Sequence, residues 1–101
     1  MKPLEVRIPH QLPLDEVRRR LDDAVVQAKS QYADTVGPID ASWETADRLR
    51  VRLAVMGMHF DGSLDILVEE LLVTLALPGM AALFAGRIQS GIEEQLGGLL
   101  G

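Results

Sequence analysis

Apolar and polar residues alternate with a period of two in five stretches of the chain, and this pattern predicts five half-buried β-strands. The first runs from Leu4 to Ile8, and Pro9 ends it. The inward-facing residues of the other four are Ile39, Ala41 and Trp43; Leu49, Val51, Leu53 and Val55; Met58, Phe60, Leu64 and Ile66; and Leu71, Val73, Leu75 and Leu77. The connections between these four strands are short, so we expect neighbouring strands to pair antiparallel.

Two further stretches follow a helical period. The apolar residues of the first stretch fall within an arc of about 100°; they are Leu14, Val17, Leu21, Ala24, Val25, Ala28 and Tyr32. Asp15 and Glu16 occupy its first turn, where the helix dipole favours carboxylates. Each precedes an arginine by four residues, so we expect Asp15 to pair with Arg19 and Glu16 with Arg20.

The second helix is predicted to begin after Pro78-Gly79, and its buried face is apolar. That face holds Met80, Phe84, Ile88, Ile92, Leu96 and Leu99. Gly86 and Gly91, inside this helix, each cost roughly 1 kcal/mol relative to alanine. We interpret them as a sign that another element packs closely there. Gly97-Gly98 is expected to fray the end of the helix.

The predicted order of elements is β-α-β-β-β-β-α, and the fold class is α+β. All five strands can form one antiparallel sheet, with two helices packed on its apolar face. By analogy this layout looks like a shortened helix-grip arrangement. The chain has 101 residues and contains no repeat or linker segment, so we expect residues 1–101 to form a single domain.

The register of two neighbouring strands follows from a turn through Met56-Gly57. Inward residues must oppose inward residues, so a two-residue loop pairs apolar with apolar on the inner face. On the outer face the same register places Arg52 opposite Asp61 and Arg48 opposite Asp65. Charge pairing therefore supports the register that the apolar pattern selects.

Gly62 falls on the inner face between large side chains. A glycine in a strand marks a bulge or a close backbone approach. It either lets a helix lie close to the sheet or leaves space for a ligand.

Charge and composition exclude several classes of protein. The net charge is −5, with 15 acidic and 10 basic residues, which argues against nucleic-acid binding. The chain has no cysteine, and this excludes disulfides and zinc–thiolate sites. The longest uncharged run, residues 71–86, is shorter than the roughly 20 residues of a transmembrane helix. Residues 1–10 lack the apolar core of a signal peptide, so we expect a cytoplasmic protein.

Few residues suggest chemistry. His59, Asp61 and Asp65 share a predicted strand face and are either a weak metal site or a solvated face with paired aspartates; we favour the second interpretation. His10 is either a proton-transfer group at the sheet edge or, as we favour, a loop residue between strand and helix. Nucleophile-elbow, P-loop and dinucleotide motifs are missing, so we expect no catalytic residue, cofactor or metal, and no enzyme.

Two surfaces are candidates for binding. The run Arg18-Arg19-Arg20 either binds a phosphate or an acidic partner or is a solvated helix face, which we favour. The second helix either fills the core or docks on an apolar surface or a second protomer. The candidate docking and dimer residues on it are Ala82, Leu83, Phe84, Gly86 and Leu100.

Several short features in a fixed order resemble one bacterial family. They are Ile8-Pro9-His10 with Leu12, the segment Leu14 to Leu21 with its arginines, Trp43 with Asp47 and Leu49, Met56-Gly57, Gly62 with Leu64, Leu77-Pro78, and Phe84 with Gly86-Arg87-Ile88. In these features the chain resembles the polyhydroxyalkanoic acid system proteins, which gene context links to storage-polyester granules. The resemblance implies no catalytic residues. Many relatives have a second helix rich in lysine and arginine, whereas the apolar helix of this chain favours apolar docking.

The resemblance leads to three hypotheses of function. The leading one is a non-enzymatic accessory protein of polyhydroxyalkanoate storage that binds the granule surface or a granule-associated protein. The second is a carrier of a small hydrophobic ligand such as an acyl or hydroxyacyl compound, held between helix and sheet. The third is a homodimeric structural protein with an unrelated role.

Overall fold

The structure is a computed structural model, and it describes residues 3–31, 39–55, 57–77, 79 and 81–100. Its elements are β1 (Leu4–Pro9), α1 (Leu14–Gln31), β2 (Asp40–Trp43), β3 (Arg48–Val55), β4 (Met58–Ile66), β5 (Glu70–Ala76), a 3₁₀ turn (Ala81–Phe84) and α2 (Ala85–Leu100). This order confirms the predicted α+β class and β-α-β-β-β-β-α arrangement. The predictions for Tyr32, Met56, Pro78, Met80 and the side chains of Val55 and Ala82 lie outside the described residues.

The five described strands form one antiparallel sheet in the order β1-β5-β4-β3-β2. The strands β2 to β5 follow one another as a meander, because short turns join each to its neighbour. The first strand, β1, pairs with the last, β5, so that Ile8 lies opposite Leu71 and Leu4 opposite Leu75. The first and last strands of the chain are therefore neighbours in the sheet. The start of α1, which follows β1, lies over the inner face as a result.

The β3–β4 register is the one that the sequence predicts. Arg48 lies opposite Asp65, and Arg52 lies opposite Asp61. Gly57 has a φ of 80°, in the left-handed region that side chains other than glycine rarely adopt. The tight turn therefore depends on glycine at this position.

Both helices pack on the inner face of the sheet. α1 lies against β4 and α2, and α2 lies against β1. The buried core joins residues from four strands and both helices: Val6, Ile8, Val17, Leu21, Leu49, Ile66, Leu71, Val73 and Leu100. The inward residues of the strands contact the apolar face of α1 in this core, as the two-residue period of the strands and the helical period of α1 predict.

The C-terminal part of α2 differs from the prediction. The helix continues through Gly97-Gly98 to Leu100, so the predicted fraying is wrong. Leu100 is only 5 % exposed and belongs to the core, so it is not a docking residue. Leu96 and Leu100 are one turn apart and face the core together. The Arg20 guanidinium also donates a hydrogen bond to the Leu99 carbonyl at 2.9 Å, which holds the helix end in place.

The ion pairs of α1 follow a different pattern from the predicted one. Arg19 binds Glu16 at 2.7 Å and Asp23 at 3.1 Å, not Asp15. Arg20 binds Glu16 at 2.9 Å, as predicted. The hydrogen bonds from Arg19 and Arg20 lower the pKa of Glu16 from 4.5 to about 2. Glu16 is thus the carboxylate that organises the first two turns of α1.

The glycines of α2 are not sites of close packing in this chain. Among the described residues of this chain, a Cβ atom at Gly86 or Gly91 would meet nothing within 4 Å, so close packing by another molecule at these glycines stays a prediction. Gly62 is the opposite case, because a Cβ there would lie 3.0 Å from both Leu75 Cδ1 and the Thr74 carbonyl oxygen. The close approach at Gly62 is made by β5 and not by a helix.

Candidate functional site

Burial changes along the inner face of the sheet. We call one end of the sheet the closed end; here β3 and β5 begin, and β1 and β4 end. The inward residues Leu49, Ile66 and Leu71 are buried at this end. At the other end, the open end, the inward residues Leu53 and Leu75 are only half-buried. The inner face is therefore dry at one end and partly accessible at the other.

A cavity of about 350 Å³ lies between α2 and the sheet, towards the open end. Its lining residues are Val51, Leu53, Phe60, Gly62, Ser63, Leu64, Val73, Thr74, Leu75, Ile88, Ile92 and Leu96. None of them is charged, and the alternation of the strands turns the Ser63 and Thr74 side chains to the outer face. Ile88, Ile92 and Leu96 form one stripe along α2, because they are spaced by one helical turn.

The cavity has a local cause in the sheet and a longer-range cause in the helices. Gly62 has no side chain to fill the space between Phe60 and Leu64. α1 packs at the closed end through Val17 and Leu21, while α2 lies closest to β1. At the open end a gap therefore remains between α2 and the inner face of β3, β4 and β5. The sequence signal for this site was Gly62 on the inner face.

The predicted docking residues are divided between two environments. Leu83 is 82 % exposed and Phe84 is 55 % exposed, and both lie just before α2 begins. The prediction that Phe84 also lies on the buried face of the second helix is wrong, because residues 81–84 form a 3₁₀ turn and α2 starts only at Ala85. Gly86 is exposed on the first turn of the helix, whereas Leu100 is buried at the other end. Docking of a second protomer through Leu83, Phe84 and Gly86 stays a prediction.

The outer face of the sheet has the opposite chemistry. A second cavity, of about 360 Å³, is lined by Asp40, Ser42, Glu44, Arg50 and Arg52. Arg50 lies at its centre and binds the Glu44 carboxylate at 3.3 Å and the Asp61 carboxylate at 3.0 Å. Arg52, which the register places opposite Asp61, is farther from that carboxylate, at 3.8 Å. The diagonal partner on β3 therefore makes the shorter contact.

The carboxylates of this outer face are held in ion pairs. Arg48 Nε donates to Asp65 Oδ1 at 2.6 Å. The hydrogen bond from Arg50 lowers the pKa of Asp61, so this carboxylate stays ionised. In the part of the chain that the structure describes, no three histidine, aspartate or glutamate side chains are grouped to hold a metal ion. His59 is exposed on the same strand.

The three arginines of α1 all have partners within the fold. The Arg18 guanidinium stacks on Trp43, 4.5 Å from the ring centroid, and contacts the Ala46 carbonyl at 3.4 Å. Trp43 Nε1 donates to Asp22 at 2.8 Å, which joins β2 to α1. Arg19 and Arg20 are bound to carboxylates of their own helix. These contacts support a structural role for the run rather than a phosphate site.

His10 is buried in the loop between β1 and α1. Its Nδ1 accepts a hydrogen bond from the Leu12 backbone N–H at 3.1 Å, so the proton of the neutral ring lies on Nε2. Nε2 donates to the Leu67 carbonyl at 3.0 Å. The ring therefore joins the β1–α1 loop to the β4–β5 turn, which is the loop role that we favoured from the sequence.

Neither helix, over the residues the structure describes, has the length and apolar character needed to cross a membrane.

Comparisons with known proteins come from sequence and from structure. Among solved structures, the chain is similar to TTHA0849 from Thermus thermophilus, with 18% identity over 98% of this chain and 90% of that chain, and a TM-score of 0.37. No curated protein matches the chain.

One protein family accounts for nearly the whole sequence. The family model described as "Putative polyhydroxyalkanoic acid system protein" matches residues 4–100. This range includes every strand and both helices of the fold. The chain therefore belongs to the polyhydroxyalkanoic acid system protein family.

Proposed function

We propose that this protein is a non-catalytic accessory protein of polyhydroxyalkanoate storage that binds the polyester surface of the granule. The observation that carries the proposal is the exposure of Leu83 and Phe84, at 82 % and 55 %, on consecutive residues before α2. Leu67 and Val68 are a second exposed apolar pair, but Glu69 and Glu70 follow them directly, whereas Leu83 and Phe84 lie in an uncharged stretch that suits contact with an apolar surface.

The physical basis of the proposal is apolar adsorption. Full burial of a leucine or phenylalanine side chain is favourable by roughly 1.5–3 kcal/mol. A polyester surface offers area rather than a shaped pocket, so two adjacent projecting side chains suit it. Residues 79–86, which include this pair, carry no charge, so the pair approaches an apolar surface without removing a charge of its own segment from water.

Electrostatics supports the same mode of binding. The chain carries a net charge of −5. The described arginines of α1 and β3 are paired with carboxylates or stacked on Trp43, which leaves little positive surface for an anionic coat. Exposed charge pairs are screened by salt, whereas apolar contacts are not. We therefore expect granule binding that survives high salt.

The absence of catalysis belongs to the same proposal. The buried His10 uses both ring nitrogens in backbone hydrogen bonds. Asp61 and Asp65 are engaged by arginines on the outer face, on the side of the sheet away from the apolar cavity. An acid, a base and a nucleophile that converge on one point are the mark of an active site, and these contacts leave His10, Asp61 and Asp65 in other roles.

The test is co-sedimentation of the purified protein with isolated granules and with protein-free polyester particles across a salt series. The double variant Leu83→Asp/Phe84→Asp is expected to lose binding at every salt concentration. The matched control is the double variant Val26→Asp/Val68→Asp, which adds the same two charges at sites 67 % and 90 % exposed elsewhere on the surface. This control should bind like the wild type.

The outcomes separate the possible partners. Binding of the double variant at wild-type level would reject Leu83 and Phe84 as the anchor. Binding to native granules but not to protein-free polyester would replace the polymer surface with a granule-associated protein as the partner. Binding that disappears at high salt would contradict apolar adsorption.

A further inference from the structure

We infer that the cavity between α2 and the open end of the sheet binds one unbranched alkyl chain of a medium-chain acyl compound, of about eight to ten carbons. This inference does not depend on granule binding, because it rests on the cavity and not on Leu83 and Phe84. It adds a ligand site inside the fold to the surface that we propose for the granule.

The chemistry of the lining selects hydrocarbon. The inward side chains that form the walls are aliphatic, apart from Phe60, and none carries a charge or an inward polar group. A polar group placed in this cavity would lose its hydrogen bonds to water without replacement. An alkyl chain has no hydrogen bonds to lose on entry and gains dispersion contacts with α2 on one side and the sheet on the other.

The volume selects the size of the chain. A cavity of 350 Å³ is at the lower end of ligand sites, which begin at about 300 Å³. The cavity is open to solvent on one side, so this volume suits one medium-length chain with its end in water rather than two lipid tails.

The shape selects a chain over a compact ligand. Ile88, Ile92 and Leu96 line the cavity over two turns of α2, a distance of about 12 Å. The opposite wall follows the inward residues of β3, β4 and β5. An extended alkyl chain fits between a helical stripe and a sheet, in the direction of the helix.

The burial gradient gives the direction of entry. The cavity ends towards the buried core at Leu71 and Leu100, whose side chains are packed away from water. The half-buried Leu53 and Ile88 lie towards the open end. The methyl end of the chain therefore enters first, and the carboxyl or ester group stays at the open end in water.

Chain-length dependence is the first test. The purified protein is titrated with butyrate, hexanoate, octanoate, decanoate and palmitate by calorimetry, without granules. The affinity should rise about fourfold for each added methylene group until the cavity is full, and should stop rising near ten carbons. Equal affinity for butyrate and decanoate, or no binding of any acid by the folded protein, would overturn the inference.

Cavity-filling variants are the second test. Ile92→Phe fills the cavity from the helix, and Leu53→Phe fills it from the sheet. Each should lower the affinity for decanoate at least tenfold without lowering the melting temperature. Val26→Phe, which adds the same ring on the exposed face of α1, is the control and should bind decanoate like the wild type. Undiminished affinity in both folded cavity variants would place the ligand elsewhere and overturn the inference.

Free acids and the side chains of a polyester are two sources of the same alkyl chemistry. If the source is the polyester, Ile92→Phe lowers co-sedimentation with particles that carry long alkyl side chains and leaves binding to particles with methyl side chains unchanged. If the source is a free acid, Ile92→Phe changes neither. The Leu83→Asp/Phe84→Asp variant should keep its decanoate affinity, so failure of the granule proposal and failure of the cavity proposal give different results.

Discussion

The two ends of the sheet have the same sequence pattern and different packing. On β5, Leu71 and Leu75 are inward residues four positions apart, yet Leu71 is fully buried and Leu75 is half-buried beside the cavity. The same contrast holds on β3 between Leu49 and Leu53. The comparison shows that alternation determines which side chains face inward, and that the covering helices determine which of them lose contact with water.

The closed end is held by contacts between elements far apart in sequence. Arg20 on α1 binds the Leu99 carbonyl of α2, and His10 joins two loops. Trp43 on β2 is held between Arg18 and Asp22 of α1. Of the two described helices, α2 is the one that lies above the open end. The cavity therefore lies outside the part of the sheet where most of the buried core residues meet.

The largest expected effect compares the two leucines of β5. Leu71→Ala should destabilise the protein by about 3 kcal/mol, since it leaves a void in a close-packed core. Leu75→Ala should cost only about 1 kcal/mol, since its side chain already borders empty space. Urea unfolding of the two variants measures both values. Equal costs would mean that the open end is packed as tightly as the closed end.

The next effect compares the two histidines. His10→Ala removes the buried ring that pairs with the Leu12 N–H and the Leu67 carbonyl in two partly buried loops, so a loss of about 2 kcal/mol is expected. His59→Ala, at an exposed position, should change stability by less than about 0.5 kcal/mol. Thermal unfolding at neutral pH gives the comparison. A similar small effect for both would show that the His10 bridge adds nothing to the closed end.

A smaller effect is expected where the two helices meet. Arg20→Met keeps the length of the side chain but removes the hydrogen bonds to the Leu99 carbonyl and to the Glu16 carboxylate, at a combined cost of about 1–2 kcal/mol. Amide exchange should become faster over the last turn of α2 and stay unchanged at Ile88. Arg87→Met on the exposed side of α2 is the control. Faster exchange along the whole helix would mean that the open end depends on this contact as well.

The smallest effect is a pH dependence. The pKa of Glu16 is lowered to about 2 in the folded protein, from 4.5. Its contribution to stability is therefore complete above pH 4.5 and is lost as the pH falls towards 2, because the unfolded state takes up the proton first. Glu16→Gln should be less stable than the wild type above pH 4.5, and the difference should shrink during acidification. Asp15→Asn, exposed in the same turn, is the control; a constant difference for Glu16→Gln would contradict the assignment.

The sequence predicts much of the fold because its signals are local. Strand alternation and the glycine turn at Gly57 together specify the β3–β4 register, including Arg48 opposite Asp65. The predictions for α2 were less accurate, since Gly97-Gly98 suggested fraying and Leu100 suggested an exposed surface. Both errors have one cause: contacts from α1 and β1 stabilise an end of the helix that is weak by itself.

The candidate site was only partly visible in the sequence. Gly62 on an inward position indicated space or close approach, and the structure shows both, with β5 close to the glycine and a cavity beside it. The exposure of Leu83 followed from its position off the apolar arc, whereas Phe84 was predicted on the buried face and is 55 % exposed, because it lies in the 3₁₀ turn before α2. The extent of the cavity could not be predicted from the sequence, because it depends on the distance between α2 and the strands β3, β4 and β5.

By itself, the sequence determined the types of element, their order, the inward faces and the hairpin register. These depend on backbone periodicity and on turns of a few residues, which act over short distances. Only the tertiary structure decided that β1 pairs with β5, that Leu100 is buried and that the open end encloses a cavity. Those features depend on where whole helices come to rest on the sheet, and that position is set by many weak contacts between residues distant in the chain.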